Sequence, residues 1–254
     1  VTVGDDARLY LLQTAEKGLA WLRLVAEGTA GHGSMLNTDN AVSELAAAVA
    51  RLGAHRWPRR LHPAQQAFLE VAGEALGIEL AADTAEESLA RLGSVTRMLA
   101  AAMSHTANPT VLQAGYKVNV VPGRAEAQVD GRFLPGGGEE FIEQVKQLAG
   151  PRVRVEVMQE QPGVEAALAS ALTEAMAASL RRHDPSAKVA PYLLSAGTDA
   201  KAWARLGVAC YGFVPLRLPA GFDFAGLFHS VDERVPVDAL EFGCRVLDDF
   251  LDHA

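Results

Sequence analysis

The sequence is poor in cysteine, in clustered basic residues and in long apolar runs, and each scarcity excludes a class of protein. Cys210 and Cys244 are the two cysteines of the 254 residues, so a disulfide framework and a cysteine-based zinc site are both excluded. The net charge is −8 and no lysine- and arginine-rich block occurs, which excludes nucleic acid and anionic membrane as expected partners. No apolar run could span a bilayer, and residues 1–6 lack the pattern of a signal peptide. We therefore expect a cytoplasmic protein with free thiols.

The composition indicates a folded protein with a substantial core. Hydrophobic residues make up 49% of the chain, and the mean hydropathy is +0.08. A chain of this length can form one large domain or two modest ones.

The first part of the chain has the element order of a ferredoxin-like domain. Thr38 or Asp39 is predicted to cap its first helix, and Pro122-Gly123 is predicted to form a hairpin turn. With a helical excursion at 54–105 left out, the order is strand, helix, strand, strand, helix, strand. These elements are predicted at 17–25, 42–52, 110–121, 124–133, 139–148 and 153–158.

The part of the chain after Pro162-Gly163 alternates helices with short buried strands. This alternation is typical of an open α/β sheet. We predict a long helix at 164–182, a strand at 189–194, a helix opening at Thr198-Asp199, a strand at 208–213, an irregular stretch at 214–228 and a final helix at 237–251.

Several short peptides, each weak alone, together form a specific pattern. They are Glu16-Lys17-Gly18, Gly31-His32-Gly33-Ser34, Asn119-Val120-Val121-Pro122-Gly123 followed by Asp130-Gly131-Arg132, Ser195-Ala196-Gly197-Thr198-Asp199 and His229-Ser230-Val231-Asp232. In order and spacing the chain resembles the dinuclear zinc metallopeptidase and amidohydrolase family of aminoacylase, succinyl-diaminopimelate desuccinylase and glutamate carboxypeptidase.

The resemblance implies an α/β fold in which a ferredoxin-like βαββαβ lid domain is inserted in an open α/β zinc-hydrolase domain. Residues 1–15 would end an N-terminal catalytic segment. Residues 16–162 would form the lid, with the helical insertion 54–105. Residues 163–254 would form the C-terminal part of the catalytic domain. The N-terminal catalytic part is expected to be absent from this chain.

The resemblance also implies roles for six residues. His32 would cross a homodimer interface and stabilise an oxyanion in the partner's active site, as a donor aimed at developing charge. Asn119 and Arg132, on the two central lid strands, would bind a substrate carboxylate. Backbone N–H groups of Gly197 and Thr198 would hold a carboxylate or oxyanion, and His229 would bind zinc. The alternatives are a turn histidine for His32 and a solvated strand surface for Asn119 and Arg132.

The family's remaining metal ligands are missing from the sequence. A His-x-Asp pair occurs nowhere, and Glu86-Glu87 and Glu139-Glu140 both lie in first turns of predicted helices, where acidic residues are favourable. Two hypotheses follow. The chain is either part of an enzyme that uses two zinc ions to cleave small N-acyl amino acids or dipeptides with a free carboxylate, or a non-catalytic dimerisation or binding module.

Overall fold

The computed structural model describes residues 1–3, 7–80, 92, 96–228 and 230–254. In chain order the elements are β1 (Thr2–Val3), β2 (Ala7–Glu16), β3 (Gly18–Glu27), β4 (Gly31–His32), α1 (Ala41–Ala54), α2 (Pro63–Leu76), α3 (Thr96–Ala102), β5 (Thr106–Ala114), β6 (Val120–Val121), β7 (Arg124–Phe133), α4 (Gly138–Ala149), β8 (Val153–Gln161), β9 (Val164–Glu165), α5 (Ala171–His183), β10 (Lys188–Leu194), α6 (Ala200–Ala204), β11 (Gly212–Phe213), α7 (Phe224–Leu227) and α8 (Val237–His253). The Glu86-Glu87 pair and most of the predicted helix at 84–92 lie outside the described residues.

The chain divides into two compact units. The first unit comprises Val1–Glu16, Arg60–Met103 and Val164–Ala254, and the lid unit comprises Lys17–Arg59 and Ser104–Gly163. The excursion that the sequence analysis places within the lid therefore clusters with the first unit from Arg60 onward.

The lid unit is a four-stranded antiparallel sheet in the order β5-β7-β3-β8, with α1 and α4 sharing one core with its inward-facing side chains. This is the predicted ferredoxin-like arrangement, and the prediction is confirmed. Alternation along β3 buries Leu22 and Leu24 completely in that core, and Phe141 of α4 is also fully buried there. Asn40 caps α1, and its side chain accepts hydrogen bonds from the backbone of the first turn.

Two local predictions about the lid are wrong. The cap of α1 is neither Thr38 nor Asp39, because the Asp39 carboxylate accepts hydrogen bonds from the backbone and hydroxyl of Thr29. Pro122-Gly123 does not close a tight hairpin, since β5 ends at Ala114 and β6 leaves the main sheet to pair with β4. Pairing between distant segments overrides the local turn signal.

In the first unit β2 is the central strand. It pairs in parallel with β10 and antiparallel with the two-residue strands β1, β9 and β11. Helix α2 begins at Pro63 behind a capping box formed by His62 and Gln65, and its Phe68 packs in one core cluster with Leu9 of β2. Helices α5 and α8 contribute Leu180 and Phe242 to a separate cluster.

The first unit contains less regular secondary structure than the sequence predicts. Helix α5 begins only at Ala171, after a capping box built by Ser170 and Thr173, and the preceding Val164 pairs with β2 as β9. The strand predicted at 208–213 shortens to β11, and the stretch at 214–228 contains the short helix α7. Among the helices that the structure describes, none combines the length and apolarity needed to traverse a lipid bilayer.

Candidate functional site

His32 lies on the two-residue strand β4 of the lid, and its side chain is exposed. The Ser34 backbone N–H points at Nδ1 from 3.3 Å, and the Ser34 hydroxyl lies 2.8 Å from the same nitrogen. Because Nδ1 accepts from the Ser34 N–H, Nε2 is the ring nitrogen that is left to donate. The ring therefore presents an N–H donor away from its own loop.

Asn119 is next to His32 but is not on a strand, contrary to the sequence analysis. It precedes β6, and its backbone carbonyl accepts a hydrogen bond of 2.9 Å from the Gly33 N–H. A Cβ on Gly33 would lie 3.3 Å from that carbonyl, a tight contact that glycine avoids. The Asn119 side chain is exposed. His32 and Asn119 thus lie at one end of the lid.

Arg132 lies on the central strand β7, as predicted, at the opposite end of the sheet. It pairs with Leu19, whereas the end near His32 is marked by the pair Glu27 and Arg124. Eight residues of strand, roughly 26 Å, separate Arg132 from Arg124. Arg132 and His32 of one lid are therefore too far apart to bind one small substrate together.

The guanidinium of Arg132 forms a bidentate ion pair with Asp130, with N–O distances of 2.6 and 3.0 Å. The neighbouring Lys17 is completely buried. Its burial, and then the positive charge of Arg132, lower the pKa of Lys17 from 10.5 to about 7. Asp130 already partners the arginine, so a substrate carboxylate would have to share the guanidinium or displace that side chain.

The Gly197–Thr198 turn lies in the first unit, where it is held by the carboxylate of Glu16. Oε2 of Glu16 accepts hydrogen bonds from Thr198 N (3.1 Å), Thr198 Oγ1 (2.7 Å) and Gln13 Nε2 (3.2 Å). The Lys201 ammonium lies 3.1 Å from Oε1. We call Gln13, Glu16, Thr198 and Lys201 the Glu16 cluster. Its Glu16 is completely buried and Lys201 is 4% exposed, so this is a buried ion pair with additional hydrogen bonds.

The Thr198 N–H, which the resemblance assigns to substrate binding, already donates a hydrogen bond to Glu16. The role of Gly197 and Thr198 in substrate binding stays a prediction. A Cβ on Gly197 would lie 2.9 Å from Cε of Lys201, so a larger residue there would require the Lys201 side chain to shift. Sequence reasoning missed Glu16 and Lys201 as a pair. The sequence feature that could have indicated this pair is Glu16, a charged residue that directly follows the mostly apolar segment 9–15.

A cavity of about 590 Å³ opens beside this cluster and is lined entirely by the first unit. We call it the β2–β10 cavity, because these two strands supply one wall through Leu11, Gln13 and Leu194. Residues of the 214–228 stretch, among them Leu218 and Phe224, supply another wall. Apart from one glutamine, one serine and two tyrosines, the lining side chains are apolar, and the volume lies within the ~300–1,000 Å³ of small-molecule sites.

The predicted metal ligand His229 lies outside the described residues. Within the parts of the chain that are described, no three His, Cys, Asp or Glu side chains come together in an arrangement that could hold a metal ion. These residues do not by themselves fit a dinuclear zinc site, which needs several such ligands.

Comparisons with known proteins agree with the lid geometry. The peptidase dimerisation domain of the M20 type matches residues 14–155. The chain is 26% identical to the probable carboxypeptidase S-like 2 of Dictyostelium discoideum, covering 87% of this chain and 44% of that protein. It is also 26% identical to the mouse N-fatty-acyl-amino acid synthase/hydrolase PM20D1, covering 96% of this chain and 50% of that protein.

Solved structures share the fold. The di-peptidase Dug1p of Saccharomyces cerevisiae superposes with a TM-score of 0.62 at 13% identity, covering 96% of this chain and 56% of that one. The M20 family metallo-carboxypeptidase Sso-CP2 of Sulfolobus solfataricus gives a TM-score of 0.60 at 19% identity, covering 95% and 59%. The chain spans about half the length of the curated relatives it matches. Because the dimerisation-domain match covers more than half of this chain, the chain belongs to the M20 peptidase family.

Proposed function

We propose that this chain is the lid and the C-terminal catalytic part of a longer zinc-dependent hydrolase that cleaves amide bonds of small N-acyl amino acids or dipeptides with a free carboxylate. Membership of the M20 family supports a hydrolase. The name of the mouse relative, an N-fatty-acyl-amino acid synthase/hydrolase, favours an N-acyl amino acid as the substrate. The two free cysteines, Cys210 and Cys244, support a cytoplasmic location.

The observation that carries the proposal is the orientation of His32. The exposed ring holds its Nδ1 toward Ser34 and leaves Nε2–H to donate outward. A donor fixed in this way suits the oxyanion of a tetrahedral intermediate, because it needs no reorganisation when charge develops. Asn119 beside it adds an amide for a substrate oxygen, and Arg132 at the far end of the sheet would serve a different substrate molecule.

A homodimer through the lid would bring His32 to the partner's site. Around His32 and Asn119 the lid exposes four large apolar side chains, those of Met35, Leu36, Tyr116 and Val118. An exposed apolar patch of this kind is typical of an interface, and a two-fold axis would cover it with its own copy. The name of the matched domain, a peptidase dimerisation domain, supports dimer formation.

The metal site of the intact protein would combine His229 with ligands from the rest of the longer chain. Two zinc ions are proposed from the resemblance. No catalytic step through them follows from the described residues, which do not form the site alone.

Mixed dimers of the longer protein test this function. His32→Ala should lower kcat by about 10²–10³, the effect of losing one oxyanion donor, whereas His229→Ala should lose metal. A dimer that pairs one subunit of each variant should regain about half of the wild-type activity if His32 acts across the interface, because one site then carries both defects and the other neither. Activity that stays at the single-variant level would exclude the cross-subunit role.

The second candidate function is a non-catalytic dimerisation or binding module. It is favoured by the absence of a three-ligand metal cluster among the described residues. The 254-residue chain, verified by intact mass, should then show no hydrolysis that a chelator abolishes. Chelator-sensitive hydrolysis by this chain alone would exclude the module and would place the metal ligands within it.

A further inference from the structure

The lining of the β2–β10 cavity is mostly apolar and includes a few polar side chains. Gln13 lies in its wall and also donates to the Glu16 carboxylate, so the cavity adjoins the Glu16 cluster. Ser195 and Ala196 line it directly before the Gly197–Thr198 turn. Two of the four polar lining side chains, those of Gln13 and Ser195, therefore lie near this turn, and the other two are the side chains of Tyr10 and Tyr192.

The body of the cavity is suited to hydrocarbon. The lining side chains include Leu11, Met98, Leu216 and Phe224, and no charged side chain is among the described lining residues. The amino group of Val1, which also lines the cavity, donates to the backbone carbonyl of Leu9. A peptide in this space would bring backbone amides that need hydrogen-bond partners, and burying them unpaired is costly. An unbranched hydrocarbon chain brings none.

We propose that the β2–β10 cavity binds the acyl chain of an N-acyl amino acid, with the amide held toward Ser195. This assignment rests on the proposed function, which it extends from a substrate class to a subsite for the acyl group. It also predicts a preference for long chains, since each buried methylene adds favourable transfer free energy.

Equilibrium binding to the 254-residue chain tests the subsite without requiring activity. N-acylglycines from butanoyl to hexadecanoyl, kept below their micelle concentrations, are titrated by calorimetry. Kd should fall by about fourfold for each added methylene until the cavity is filled, and should then level off. The same Kd for every chain length would overturn the proposal.

Two cavity variants and one control locate the binding. Ala225 lies on α7 in the cavity wall and is half-buried, so Ala225→Phe should make Kd level off at a shorter chain. Val214 is 66% exposed at the cavity, so Val214→Glu should leave the fold intact and should weaken the binding of acylglycines of every chain length. Ala171→Phe, on the exposed start of α5 and outside the cavity, should match the wild type. Unchanged binding by both cavity variants would place the ligand elsewhere and overturn the assignment.

Titrations with free fatty acids of the same chain lengths test whether the cavity prefers an N-acyl amino acid to a fatty acid that lacks the amide. The glycine conjugates should bind roughly threefold to tenfold tighter, the effect of one added hydrogen bond to the amide. Equal affinities would overturn the assignment to an N-acyl amino acid. Chain-length-dependent binding together with a longer protein that hydrolyses no amide would leave the cavity standing and refute the proposed function alone.

Discussion

The buried ion pair of the Glu16 cluster gives the sharpest prediction, made with Lys201→Met. This change removes the cation and leaves the fully buried Glu16 carboxylate with only the neutral donors of Gln13 and Thr198. Breaking a buried pair by removing one partner costs about 3–5 kcal/mol. The three hydrogen bonds to Oε2 remain, so we expect a loss near the lower end of that range.

The paired variant Glu16→Gln/Lys201→Met separates the ion pair from the packing. The amide oxygen that the Glu16→Gln change introduces can still accept from the Thr198 N–H and hydroxyl, and no buried charge is left without a counterion. The double variant should therefore be more stable than the sum of the single losses predicts, with a coupling free energy of about 1–3 kcal/mol.

Hydrogen exchange at the Thr198 amide is the direct assay, because this N–H donates to Glu16 and reports on the first unit alone. Urea unfolding supplies the free energies, and the midpoint of Lys201→Met should fall by roughly 1 M or more. The control is Lys146→Met, which breaks the exposed pair with Glu143 and should cost less than about 0.5 kcal/mol. A loss for Lys201→Met as small as the control's, or single losses that simply add, would refute the reasoning.

Three further predictions concern pH and assembly. Between pH 7 and 10.5 Lys17 is protonated in the unfolded chain but not in the folded one, so the free energy of unfolding should rise with pH over this range. In urea titrations Lys17→Met should abolish this rise, whereas the control Lys146→Met should retain it. Although burial opposes it, hydrogen bonds from Ser186, Arg8 and Tyr10 lower the pKa of Asp184 from 3.8 to about 2. Its stabilisation should be complete above pH 4 and disappear as the pH falls toward 2, and thermal unfolding of Asp184→Asn should lack this component. Val118→Glu in the lid should weaken the dimer measured by light scattering. Val231 in the first unit is equally exposed, and Val231→Glu should leave the dimer unchanged. A wild-type chain that stays monomeric at micromolar concentration would contradict the dimer.

The sequence by itself determined the lid. The apolar character of β3 and the helical spacing of Leu45 and Leu52 in α1 identify these two elements, and that information is local. The buried face of α1 nevertheless differs in part from the predicted one, because Ala41 and Ala48 are buried and Val42 is 39% exposed. The order of these elements then leaves few compact topologies, and the ferredoxin-like sheet is one of them. The short motifs likewise identified the family, because their order along the chain is a property of the sequence.

Only the tertiary structure decided which charges are buried and which strands pair. Glu16 and Thr198 are 182 residues apart, and Lys17 is buried although its neighbours in sequence do not distinguish it from a surface lysine. The pairing of Val164 with Glu16 replaced the first turns of a predicted helix, and the pairing of β4 with β6 replaced a predicted hairpin. In each case contacts between distant segments stabilise the observed structure, and these contacts override local propensity. The reason is that buried polar groups need hydrogen-bond partners, and in a fold such partners can come from distant parts of the chain.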